Sequence, residues 1–146
     1  MNTHLIHQKV HRLVRFYKSR NPLEIIKGMN VILVYYPLDG VRGFYQYFQR
    51  NNIIYIDERL SEHEGKFVCA HELGHMLLHK KANAIFLDSR THFNTNQYEI
   101  EANLFAMELL VSDELLEENK SFTVEQLSRM LGYHQKLIQI RLQKNL

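Results

Sequence analysis

One cysteine, two prolines and no long apolar run already remove several protein classes from consideration for this 146-residue chain. A lone thiol excludes an internal disulfide framework and suits a reducing compartment. That thiol, Cys69, sits just before a histidine-rich segment and reads as a buried structural group, not a nucleophile or ligand. No stretch approaches the ~18 consecutive apolar residues that span a bilayer, so no membrane partner is expected. The first twenty residues are basic and amphipathic instead of continuously apolar, so no signal peptide is visible and the cytoplasm is the expected location. Acidic residues are missing as well, since none precedes Glu24, whereas Lys9, Arg12, Arg15, Lys18 and Arg20 all do. The net charge is only +2, and this basic stripe reads as a solvated helix face. His4, His7 and His11 lie on the same helix, with no carboxylate nearby in sequence to complete a metal site.

With 45% hydrophobic residues, a chain of this length supports one domain with a proper core, spanning 1–146. Residues 1–29 read as helices, the second started by Asn21 as cap and Pro22 in the first turn. Residues 30–57 read as a sheet of strands at Val31–Tyr36, Arg42–Phe48 and Ile53–Ile56, with turns at 37–40 and 50–52. Two helices follow within 61–110, and 112–146 is a helical tail. In that tail Ser112 heads acidic first-turn residues, and Thr123 with Gln126 forms a capping box before Gly132 interrupts the pattern. The class is α+β, mostly helical, with a small antiparallel three-stranded sheet. The last two helices look like half of a helix-turn-helix, but Lys136, Arg141 and Lys144 form no compact base-reading stripe. Packing on the core is the expected role, and direct nucleic-acid binding is not expected.

The chemistry is concentrated in His71-Glu72-Leu73-Gly74-His75. Residues i and i+4 stack on one helix face, so two imidazoles can grip one metal ion, and the intervening glutamate can act as general base. This is the H-E-x-x-H pattern of zinc-dependent hydrolases. Ser61 caps the predicted helix, Glu62 and Glu64 occupy its first turn, and no proline interrupts it to His79. The helix is apolar nearly all round, which marks a central one. A further His79 falls one turn beyond His75, available to stabilise an oxyanion or to cap the helix C-terminus, where a partly positive imidazole is favoured.

A catalytic zinc site usually takes a third protein ligand from another element. The second helix, from about Tyr98 to Leu110, carries Glu99, Glu101 and Asn103. On a helical wheel Glu99 falls inside the apolar arc, while Glu101 falls beside Glu108 on the solvent side. Glu99 is the expected ligand and Glu101 a surface charge, with the opposite assignment as the alternative. Asn103 is placed to accept a hydrogen bond from the far ring nitrogen of a ligating histidine. The stretch Lys80–Asn96, with Ala84-Ile85-Phe86-Leu87 at its middle, reads as a loop that borders the cleft.

H-E-L-G-H-x-x-L-H at 71–79, followed by E-x-E-A-N-x-F-A-x-x-L-L at 99–110, resembles the ImmA/IrrE family of metallopeptidases. Together the motifs cover about a quarter of the chain. Where many relatives follow the second motif with Met-Pro, this chain has Val111-Ser112, a local departure that leaves the ligands untouched. The resemblance implies a zincin-like, gluzincin-type domain with Zn2+ held by His71, His75 and Glu99, and with Glu72 as catalytic base. It implies intracellular regulatory proteolysis, commonly of a helix-turn-helix repressor encoded on a phage or mobile element. The competing expectation is a non-catalytic, metal-stabilised module that binds a repressor or DNA. Glu72 discriminates between them, because a purely structural zinc site does not require it.

Overall fold

The computed structural model describes residues 3–79 and 92–143, with the backbone alone for 92–96. Two helices come first, α1 (Thr3–Tyr17) and α2 (Pro22–Gly28). Ile6 and Val10, one turn apart, bury the inner face of α1, and the Asn21 side chain accepts from the Leu23 amide to start α2. The strands are β1 (Ile32–Tyr36), β2 (Gly43–Phe48) and β3 (Asn51–Asp57). Helices α3 (Glu62–Leu78), α4 (His92–Leu110), α5 (Asp113–Glu118), α6 (Val124–Leu131) and α7 (Gln135–Leu142) complete the described residues.

The sheet corrects the expectation of three antiparallel strands. Its order is β1-β3-β2, with β2 antiparallel to β3 but β1 parallel to it. Two chain reversals return β3 to the direction of β1, and β3 slots between its predecessors. Residues 37–50, which include β2 itself, supply the dozen or so residues that a parallel connection needs. The β3 side chains give the reason for its central place: Ile54 and Ile56 are fully buried against α3. The β2–β3 turn falls at Gln49-Arg50, one residue earlier than expected, with both residues at positive φ (49° and 65°) as a tight twisted hairpin requires.

The central helix α3 begins at a full capping box, in which Ser61 accepts from the Glu64 amide and the Glu64 carboxylate accepts from the Ser61 amide. Phe67, Val68, Cys69, Ala70, Leu73 and Met76 are all buried on it, so it is covered on every side. Against it lies α4, which begins at His92 and so takes in part of the expected loop; the rest of that loop, residues 80–91, lies outside the described residues. Contacts from α3, α1 and α7 surround α4.

That crowding overturns the solvent-side assignment of Glu101 and Glu108. The Glu108 side chain is 3% exposed and the Glu101 side chain 19%, against 39% for Glu99. Glu108 meets His7 at 2.9 Å and Arg141 at 3.6 Å, while Arg20 donates to the carbonyls of Glu108 and Leu109, closing the C-terminal end of α4. The tail reaches the core through Leu127, Ile138 and Arg141, and Gly132 ends α6 in the left-handed region at φ 76°. No helix among the described residues is long and apolar enough to cross a membrane.

Candidate metal centre

Because α3 is buried all round, its polar residues need partners, and α4 supplies them. His71 and His75 stand one turn apart with their rings edge-to-face, 4.7 Å between centroids. Both Nε2 atoms converge on Glu99, His71 at 2.9 Å from Oε2 and His75 at 2.8 Å from Oε1. The donor atoms of these three residues lie within 4.8 Å of one another. Of the two glutamates weighed as third ligand, Glu99 is the one brought to both imidazoles.

The opposite ring nitrogens are also engaged. His71 Nδ1 lies 2.8 Å from Asn103 Oδ1, and since an amide oxygen only accepts, this nitrogen carries the proton. His75 Nδ1 lies 3.0 Å from His79 Nδ1, and His79 Nε2 in turn lies 2.8 Å from Glu101 Oε1. His79 is the C-cap residue of α3, its amide bonded to the His75 carbonyl, and its ring is turned away from the cavity toward Glu101. Its backbone amide caps the helix, while its imidazole is engaged by His75 and Glu101 and not in the expected role of a partly positive cap. Sequence reasoning missed the Glu101–His79 contact, because a wheel of α4 alone does not show that the end of α3 covers that side.

Glu72 is 6% exposed and lines the same cavity, about 850 Å³, together with His71, His75, Glu99 and Asn103. Its walls are largely apolar, formed by Val41 and Phe44 on one side, with Arg42 between them in sequence, and by Phe67 and Val68 of α3. Gly43 makes this wall possible. A Cβ there would come within 2.5 Å of Val68 Cγ1 and 2.6 Å of the Tyr55 carbonyl, so only glycine lets β2 lie this close to α3.

The electrostatics follow from burial and pairing. Burial opposes the Glu99 charge, yet hydrogen bonds and charges from His71 and His75 prevail and hold its carboxyl far below the usual range. Burial also acts to lower the His71 imidazole, but the hydrogen bond to Glu99 and the charges of Glu72 and Glu99 raise it. His79 goes the other way, lowered by burial despite its bond to Glu101. Cys69 is fully buried, and burial with the nearby Glu72 charge pushes its thiol up to about 12, which leaves it inert as a nucleophile.

A second cluster, His7 with Glu108 and Asp113, was not visible in sequence, its members lying up to 106 positions apart. Arg141 lies 2.7 Å from Asp113 and 3.6 Å from Glu108, so a guanidinium already occupies the centre of charge there.

Comparison with known proteins agrees with this geometry. A model of the M78 peptidase family, described as the IrrE N-terminal-like domain, matches residues 27–142. The chain is 39% identical over 140 residues to "Uncharacterized immunity region protein 2" of Bacillus phage phi105, covering 94% of this chain and 89% of the relative. It is 30% identical over 115 residues to "Metallopeptidase ImmA" of Bacillus subtilis strain 168, covering 77% and 67% respectively. Such a family implies a metal, for which His71, His75 and Glu99 are the candidate site. The match spans most of the chain and includes both motifs, and the protein belongs to the M78, or ImmA/IrrE, family of metallopeptidases.

Proposed function

We propose that the protein is a zinc-dependent endopeptidase that cuts an intracellular regulatory protein, a helix-turn-helix repressor of a phage or mobile element. The observation that carries this reading is the convergence of two imidazole Nε2 atoms and one carboxylate in a cavity that also holds a separate, buried glutamate. The donor set fits zinc. Two nitrogens and one oxygen from two helices leave a vertex for solvent or substrate, as catalytic zinc sites do. Asn103 and His79 engage the Nδ1 atoms, which leaves each Nε2 lone pair for the ion.

His71, His75 and Glu99 would hold the zinc, which when bound would supply Lewis-acid polarisation of the scissile carbonyl and a more acidic water. The protein's own part in the reaction falls to Glu72. Its carboxylate takes a proton from the attacking water and returns it to the departing amine nitrogen. The apolar side chains of Val41, Phe44, Phe67 and Val68 flank that transfer. Among the described residues β2 is an edge of the sheet, and Gly43 and Phe44 line the cavity, so an extended substrate segment has a strand to lie along.

The substrate assignment draws on the relative named for a phage immunity region and on the relative named as a metallopeptidase. The competing module, binding DNA through the basic N-terminus, is not favoured: Arg20 and His7 are spent on the end of α4. The test is incubation of zinc-loaded protein with any helix-turn-helix repressor encoded beside it. A single cut, absent with Glu72→Gln, supports the proposal. An intact repressor together with steep salt-dependent DNA binding would establish the module instead.

A further inference from the structure

We infer that Glu101 and His79 are positioning residues for the metal centre, acting in series to fix the tautomer of His75. The inference rests on the metallopeptidase reading and adds to it two residues that touch neither ion nor substrate.

The argument is one of proton placement along a chain of three side chains. His75 Nε2 faces Glu99 and can bind a cation only if it carries no proton. The neutral ring must then carry its proton on Nδ1, whose partner at 3.0 Å is His79 Nδ1. Two N–H groups cannot face one another at that distance, so His79 Nδ1 must be the acceptor. The His79 proton then sits on Nε2, where Glu101 Oε1 accepts it at 2.8 Å. With an ion in place of a proton on His75 Nε2, one arrangement satisfies the other contacts: His75 Nδ1–H donates to His79 Nδ1, and His79 Nε2–H donates to Glu101. A carboxylate at the end of this chain therefore selects the lone pair at its beginning.

The surroundings hold the chain in place. The second Glu101 oxygen accepts from the Gln97 side-chain amide at 3.3 Å. The Tyr98 ring packs on the His79 ring at 4.1 Å between centroids, and the His79 side chain is 3% exposed, so bulk water does not compete for either imidazole nitrogen. His71 reaches the same end in one step through Asn103. The two ligands are thus oriented by different devices, an amide for one and a histidine–carboxylate pair for the other.

The test combines histidine tautomers, read by long-range proton–nitrogen correlation on ¹⁵N-histidine-labelled protein, with zinc affinity from chelator competition. In wild type, with and without zinc, His79 is expected to be protonated on Nε2 and bare on Nδ1. Glu101→Ala should weaken zinc binding by about 10–100-fold. Glu101→Gln keeps an acceptor oxygen and should stay within a few-fold of wild type, a rescue that a purely structural role for the charge does not predict. A His79 proton found on Nδ1, or a Glu101→Ala affinity within about twofold of wild type, overturns the inference. So does a Glu101→Gln loss as deep as that of Glu99→Gln, which would make Glu101 a ligand. If Glu101→Ala fails to fold, the wild-type tautomer decides alone. If wild type binds no zinc, the peptidase reading fails, while the tautomers of the metal-free protein still judge this chain of bonds.

Discussion

A methyl group on Gly74 would come within 3.1 Å of both Cβ and Cδ1 of Phe105, so helices α3 and α4 are spaced by a missing side chain. Gly74 sits between His71 and His75 in sequence, and Phe105 lies on the helix that carries Glu99. This close approach is what lets one carboxylate reach both imidazoles.

Gly74→Ala is therefore expected to destabilise the protein despite the better helix former. Alanine gains about 1 kcal/mol over glycine in a helix interior. Overpacking a filled core costs about 1–3 kcal/mol, and Phe105 is fully buried with its Cβ fixed to the backbone, so it has nowhere to move. The urea midpoint should fall, and zinc affinity should fall with it as Glu99 is pushed outward. A raised midpoint with unchanged zinc affinity would contradict this spacing argument.

Glu72→Gln separates binding from turnover. Glu72 lines the cavity but stands outside the group formed by His71, His75 and Glu99, so the variant should keep its metal content. Loss of a general base should lower kcat by about 10²–10⁴-fold. Cleavage of the repressor at the wild-type rate by this variant would remove Glu72 from the mechanism.

Asp113 gives the stability a defined pH dependence. Its hydrogen bond and ion pair with Arg141 hold its carboxyl below the ordinary aspartate value of 3.8, against a smaller opposing effect of burial. A carboxyl lowered by folding stabilises the native state fully above the unfolded value and loses that contribution as pH falls through the folded one. Asp113→Asn should accordingly lower the urea midpoint at neutral pH. The gap from wild type should close on acidification below about pH 4. A gap that persists unchanged at pH 2.5 would show that the Asp113 charge is not its source.

How far these features were legible in the sequence depends on how local they are. The caps at Asn21, Ser61, Ser112 and Thr123 are decided within three residues, and all four stand where the sequence places them. The spacing of His71 and His75 is equally local, being one helical turn. The strand positions were readable from β-branched and aromatic runs, but the parallel pairing of β1 was not. It depends on β3 displacing β2 from β1, a choice made by burial against α3. The burial of Glu108 and Glu101 was hidden for the same reason. Each is covered by a residue from a different helix, His7 lying 101 positions before Glu108 and His79 lying 22 before Glu101. A wheel reports one helix's own asymmetry, and α4 is enclosed by three others. The beginning of α4 escaped too, because His92-Phe93-Asn94-Thr95-Asn96 carries weak helix formers and no apolar period.

The most direct test of the account is zinc stoichiometry with X-ray absorption on the purified protein, repeated for His71→Ala, His75→Ala and Glu99→Ala. The account predicts one zinc per wild-type chain, with nitrogen and oxygen neighbours at about 2.0–2.2 Å, and loss of the ion in each variant. Wild-type protein that binds no zinc, or any of the three variants keeping it with the same neighbours, would contradict the central claim.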